Sequence, residues 1–175
     1  AVALAMAGAN PPLVTDEVIT EGGTLVWRLE AEPGTINPLT YRDYYGGVVL
    51  GLTHDGLVGR NEDTLEWEGY LAESWESSED NLTYTFHLRK DVKWHDGVPF
   101  TAQDVTYSFQ TLKDPEIPAP RIQNYYDDLA EVVALDDYTV QFRWTKLYFK
   151  SFEMSAGLPI FAKHVFDTGV DFAEH

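Results

Sequence analysis

The stretch from Asn81 to Thr111, NLTYTFHLRKDVKWHDGVPFTAQDVTYSFQT, constrains the fold of this chain more than any other. Leu82, Tyr84, Phe86 and Leu88 alternate with Thr83, Thr85, His87 and Arg89. A period of two puts the apolar set on one face and the polar set on the other, as in a half-buried strand. Trp94-His-Asp-Gly97 follows. Asp-Gly favours a turn, because glycine accepts positive φ and aspartate bonds to its own backbone. Pro99 keeps Val98 extended. Thr101 then stands at an N-cap position with Asp104 three residues on, a capping-box variant ahead of Val105, Phe109 and Leu112 at helical spacing.

The flanking sequence adds further elements. Thr24–Glu30 reads as a strand, with Leu25, Trp27 and Leu29 alternating, and it ends in a Pro/Gly loop through Pro38. Tyr41–Leu57 reads as a helix with Tyr44, Val48 and Leu52 on its apolar face. Gly46-Gly47 within it lowers helix propensity and points to close packing or a kink. Leu65–Tyr70 reads as a short strand, and Glu76–Asp80 as a charged turn. After a proline-dense loop from Asp114 to Pro120, Arg121–Val132 reads as a helix carrying Ile122, Tyr125, Tyr126 and Leu129. Val132–Leu135, Asp136-Asp137 and Tyr138–Trp144 form a hairpin pattern, with Tyr138, Val140, Phe142 and Trp144 on one face. Leu147–Met154 reads as a short amphipathic helix, and Gly157–Phe161 as a strand confined by Pro159 to an edge or an end. The expected fold class is mixed α and β: a largely antiparallel sheet packed by helices, with one compact region from about Tyr45 to Met154.

Composition narrows the functions. A chain of 175 residues with 44% hydrophobic and 14% aromatic residues has enough apolar material for a real core. Its net charge of -17 repels nucleic acid and anionic membrane surfaces. The acid excess suits a cationic ligand, and it equally serves to keep a protein solvated. Cysteine is absent, which excludes disulfides and thiolate chemistry. No stretch is long and apolar enough to span a bilayer, so no direct membrane insertion is expected. The opening AVALAMAGA, with Ala7-Gly-Ala9, reads as the tail of a signal-peptide apolar region, and Asn10–Gly23 as a linker.

Tyr84-Thr-Phe-His-Leu-Arg89, then Lys93-Trp-His-Asp-Gly97, Pro99, Thr101-Ala102, Asp104-Val105 and Tyr107-Ser108, closely resembles the signature of the family 5 extracytoplasmic solute-binding proteins. These are receptors of oligopeptide, dipeptide and nickel ABC importers. Leu71-Ala-Glu-Ser-Trp75, Asp55-Gly-Leu-Val58, Leu135-Asp-Asp-Tyr-Thr-Val140 and Ala162-Lys-His164 resemble further segments of that family. The resemblance covers roughly Gly23 to Asp171.

The resemblance implies a type II (cluster C) periplasmic-binding-protein fold, closing as two lobes round a peptide or other small molecule and delivering it to ABC importer permease subunits. It implies an extracytoplasmic location, no cofactor and no catalysis. It divides the chain into residues 1–22 as leader and linker, 23–44 as the start of the first lobe, 45–155 as the small second domain of that lobe, and 156–175 as the return toward it. Family members are much longer, so this chain is expected to hold at most half of the ligand cleft. In the family the loop with the Ile36-Asn37-Pro38 step runs along that cleft. This implies that Glu32, Pro33, Gly34 and Thr35 lie near the ligand, with Glu32 suited to a cationic group. An aromatic in the region of Arg121, Tyr125 and Tyr126 is implied to face a peptide backbone. The residues alone leave another reading open, in which one tyrosine packs in the core and the other lies on the surface.

Other chemistries find little footing. His54, His87, His95, His164 and His175 show no metal spacing, and Asp96 beside His95 most simply serves its turn. No nucleophile elbow, phosphate loop or zinc-protease motif occurs. Trp94 is expected to close the sheet against a helix rather than stack on a ligand. Two alternatives stay open: the same fold holding an oligosaccharide, nickel chelate or opine, or a sensor domain that binds a partner.

Overall fold

The computed structural model describes residues 26–167. The leader, the linker, the start of the first expected strand and the last eight residues lie outside the described residues. Contacts divide the chain into a first unit, Ala1–Glu30, and a second, Ala31–His175. In the first unit, residues 26–30 form no strand, contrary to the alternation of Trp27 and Leu29. A strand exists through its ladder, and an apolar pattern without one does not make it.

The second unit is built on an antiparallel sheet. Its strands are β3 (Ala72–Ser77), β4 (Thr83–Leu88), β5 (Leu129–Asp136) and β6 (Thr139–Trp144), in the order β3-β4-β6-β5. A separate ribbon pairs β1 (Val58–Arg60) with β2 (Trp67–Gly69). The alternation in β4 is realised: Tyr84, Phe86 and Leu88 are buried between less buried neighbours. Val140, Phe142 and Trp144 of β6 are buried likewise. Phe86 lies opposite Val140 on one side and Trp75 on the other, so the three share a face. Phe152 caps that aromatic layer, with its ring 4.9 Å from Trp67 and 5.6 Å from Tyr84.

Helix α1 spans Tyr44–Thr53, and α2 spans Ala102–Lys113. The capping box of α2 forms as read: the Thr101 N–H donates to Asp104 Oδ2 at 2.9 Å. Gly97 closes the preceding turn at φ 91°, a conformation that favours glycine. Ala102, Val105, Phe109 and Leu112 bury the inner side of α2, which packs on β5 and β6. Three short helices follow, α3 (Pro120–Gln123), α4 (Ser151–Ala156) and α5 (Lys163–Phe166).

Further expectations are corrected. Helix α1 is shorter than Tyr41–Leu57 and buries the other face: Gly46 and Leu50 are inside, while Tyr44 is 78% and Leu52 64% exposed. The Thr35 carbonyl presses against Gly46, where a Cβ would stand 2.8 Å from it, so the glycine decides which side turns inward. The helix expected over Arg121–Val132 ends after α3 and one 3-10 turn, Asn124–Tyr126, because Leu129 already belongs to β5. Glu76 and Ser77 lie in β3 rather than in a turn. Gly157–Phe161 forms no strand. Its fixed course comes from burial of Leu158, Ile160 and Phe161 and from Ser108, whose Oγ accepts the Phe161 N–H at 3.0 Å.

Candidate functional site

The segment Asn37–Gly46 organises the surface on which the candidate residues lie. Asn37 is buried, and its Oδ1 accepts the Leu39 N–H at 3.0 Å and the Thr40 N–H at 3.3 Å. This turn sends the chain back toward α1. Asp43 then caps α1, with Oδ1 accepting the Gly46 N–H at 2.8 Å. Its other oxygen, Oδ2, accepts the Gly34 N–H at 3.1 Å. One carboxylate thus pins the candidate loop to the start of the helix. The two backbone donors, Gly46 before Gly34, hold the Asp43 carboxyl below its ordinary value.

Glu32 and Gly34 are exposed, and Pro33 and Thr35 half-buried. The Thr35 hydroxyl is used within the loop, accepting the Asn37 N–H at 3.1 Å. Arg121 is exposed on α3, and its guanidinium carbon stands 5.1 Å from the centre of the Tyr41 ring. Between these elements lies a cleft of about 470 Å³ whose wall includes Leu39, Tyr41, Arg42, Pro118, Arg121 and Asn124. Arg121 therefore belongs to a concave site. Glu32–Thr35 are outside its wall and join it through the Tyr41–Gly46 segment.

The two tyrosines separate. Tyr125 is 53% exposed, and Tyr126 is 2% exposed. The Tyr126 hydroxyl donates to the Met154 carbonyl at 3.0 Å, and burial pushes its phenol up. A ring enclosed on all sides offers no face to a ligand, so Tyr126 is a core residue that fixes the 3-10 turn. Tyr41 and Arg42 escape a reading that starts the first helix at Tyr41, and Asn124 escapes one that runs a helix from Arg121 to Val132. Asp43, an N-cap residue three positions before Gly46, was the available signal.

A second cavity, of about 270 Å³, is lined by His54, Asp55, Trp94, His95 and Phe100 among others. Burial first, and His95 second, hold the His54 imidazole below its ordinary value. Trp94 packs edge-on to Phe100, with ring centres 5.9 Å apart. Asp96 serves its turn by accepting the Val98 N–H at 3.0 Å, and its other oxygen lies 2.6 Å from His164 Nε2. Among the described residues no group of three His, Asp or Glu side chains is placed to hold a metal ion.

Residues 66–174 match the family described as bacterial extracellular solute-binding proteins, family 5 Middle. The chain is 36% identical over 163 residues to the dipeptide-binding protein of Escherichia coli, covering 79% of this chain and 29% of that one. Haemophilus influenzae OppA, solved in complex with the peptide RPPGFSPFR, superposes with a TM-score of 0.72 at 29% identity, covering 81% of this chain and 31% of that one. NikZ from Campylobacter jejuni, solved in complex with Ni(L-His), gives a TM-score of 0.69 at 31% identity, covering 80% and 27%. The chain thus spans under a third of the length of each of these proteins. No described helix is long and apolar enough to cross a membrane.

Proposed function

The chain belongs to the bacterial extracellular solute-binding proteins of family 5, and from that premise we propose that it supplies part of the ligand-binding receptor of a peptide-importing ABC transporter. The observation that carries this reading is the similarity to the dipeptide-binding protein over 163 residues. The fold is the corresponding part of the type II periplasmic-binding-protein architecture, as in the OppA and NikZ structures. The receptor works outside the cytoplasmic membrane, presents its ligand to permease subunits and performs no catalysis. Hinge closure of two lobes encloses the ligand. Residues 45–155 form the small second domain of the first lobe, flanked by 23–44 and 156–175.

In this reading Glu32, Pro33, Gly34 and Thr35 border the ligand on one side of the Tyr41–Gly46 segment, and Arg121 with Tyr125 on the other. Glu32 suits the ammonium end of a peptide. Tyr126 contributes by holding the turn that carries Tyr125. The test is calorimetric titration of the full polypeptide with di- to pentapeptides, paired with thermal unfolding. A ligand at a hundredfold above its Kd raises stability by about 2.7 kcal/mol. Saturable one-to-one binding is expected, and no heat and no thermal shift with any peptide would overturn the reading. The likeness to NikZ with Ni(L-His) supports one alternative ligand class, a nickel chelate, which the same titration with nickel and histidine decides.

A further inference from the structure

The chain turns from β3 into β4 through residues 78–82, and other groups make the hydrogen bonds of that turn. The Ser78 carbonyl accepts the Asn81 N–H at 2.9 Å, and Ser78 Oγ accepts the Thr83 N–H at 3.0 Å. Asp80 Oδ1 accepts the Leu82 N–H at 3.1 Å, and the Tyr84 hydroxyl donates to the Asn81 carbonyl at 3.0 Å. The Asn81 carboxamide is left over: the residue is exposed, and its side chain bonds to no described residue. Asn81 stands at φ 54°, in the left-handed region. That conformation accounts for a glycine, an aspartate or an asparagine alike.

The residues around it choose asparagine. Asn81-Leu82-Thr83 is an Asn-x-Thr acceptor for N-linked sugar. The other asparagines, Asn10, Asn37, Asn61 and Asn124, have no Ser or Thr two residues on. The Thr83 hydroxyl also bonds to no described residue. Glu79, two residues before the acceptor, is exposed and forms no ion pair with a described residue, so its carboxylate is open to a cation of an approaching enzyme. Thr83 is the first residue of β4 and lies opposite Arg143 of β6, so Asn81 stands just outside the ladder. No turn residue lines the cleft between Leu39 and Pro118. We propose that Asn81 is a glycosylation site, which receives an oligosaccharide from a lipid-diphosphate carrier through an oligosaccharyltransferase. Asn81 Nδ2 attacks the anomeric carbon of the carrier-linked sugar. The N–C bond forms as the bond from that carbon to the diphosphate oxygen breaks, the lipid diphosphate leaves, and the Nδ2 proton passes to a base of the enzyme. The site rests on the receptor reading for its location outside the cytoplasmic membrane.

The test is tandem mass spectrometry of the full polypeptide recovered from the cell envelope of its own organism. Trypsin releases Asn61–Arg89 as one peptide, which holds the whole motif. The expected result is that peptide carrying hexose or N-acetylhexosamine masses located on Asn81 by fragmentation. The sugar must be lost in Asn81→Asp, which keeps a residue tolerant of positive φ, and in Thr83→Val, which keeps the branched shape and removes the hydroxyl. It must persist in Thr83→Ser. An unmodified Asn81 in the wild type, or a sugar that survives Thr83→Val, overturns the proposal. If fractionation finds the protein in the cytoplasm, the receptor reading fails by itself. Asn81 is then judged by fusing an export signal to the wild-type polypeptide in a bacterium that supplies an oligosaccharyltransferase and its lipid-linked sugar. Sugar on Asn81 of the exported protein supports the site, and exported protein without it overturns the site. This readout needs no variant to fold.

Discussion

The backbone N–H of Lys163 donates to Asp104 Oδ1 at 2.9 Å across a separation of 59 residues. The same carboxylate accepts the Thr101 N–H through Oδ2. A single buried side chain, 4% exposed, therefore closes the start of α2 and fixes the start of α5. Ser108, one turn further along α2, repeats the device by accepting the Phe161 N–H. The C-terminal segment is held on α2 by these two polar contacts and by the burial of Phe161 and Ala162.

Asp104→Ala removes a capping interaction and leaves the Lys163 N–H without its acceptor. Loss of a cap costs about 0.5–2 kcal/mol, and an unsatisfied buried donor about 1–3 kcal/mol. Urea unfolding is expected to show a loss of about 2–4 kcal/mol. A loss within the ordinary range of surface substitutions, about 0.5 kcal/mol, would mean that the two helix starts do not depend on this carboxylate.

Gly46→Ala pits two effects against each other. Alanine favours a helix over glycine by about 1 kcal/mol. The added Cβ would meet the Thr35 carbonyl at 2.8 Å, a backbone atom that cannot swing aside like a flexible side chain. Overpacking of this kind costs about 1–3 kcal/mol, so net destabilisation is expected, together with weaker ligand binding as the Glu32–Thr35 loop is displaced. A more stable variant with unchanged affinity would show that the contact is relaxed without cost.

The Asp43 carboxyl lies below its ordinary value, first through the Gly46 N–H and then through the Gly34 N–H. As pH falls, the unfolded chain therefore takes up the proton first, and stability present above the ordinary carboxylate value is lost as pH passes through the lower folded value. Asp43→Asn removes this dependence. Unfolding midpoints followed from about pH 6 to pH 3 should fall less steeply in the variant than in the wild type. Parallel curves would exclude the charged form of Asp43 as the species that holds Gly34.

The adjacent tyrosines should part in their effects. Tyr126→Phe deletes the bond to the Met154 carbonyl and is expected to cost about 1 kcal/mol of stability. Tyr125→Ala, at a 53% exposed position, should leave stability within about 0.5 kcal/mol and weaken ligand binding. Equal stability losses in the two variants would contradict the assignment of core and surface roles.

Local chemistry made much of this fold legible. The alternation of Tyr84, Phe86 and Leu88, the Asp96-Gly97 turn and the Thr101–Asp104 cap each express their cause within a few residues, and each forms as read. The misread elements were decided elsewhere. The inward face of α1 depends on the Thr35 carbonyl at Gly46, and Leu129 joined β5 because Trp144 stands opposite it. Gly157–Phe161 has an apolar pattern, yet its polar partner is Ser108, far off in sequence. Within the site, Arg121 is legible through resemblance, while Tyr41 and Arg42 are legible only with Asp43 as the helix cap. A cleft is a product of tertiary approach, and single-strand periodicity carries no trace of it.

The most direct test of the receptor assignment is a structure of the full polypeptide with a bound peptide. The expected result is a peptide in contact with the Glu32–Thr35 loop and with Arg121 in the cleft walled by Tyr41 and Pro118. A ligand bound elsewhere, leaving both the loop and the cleft bare, would contradict it.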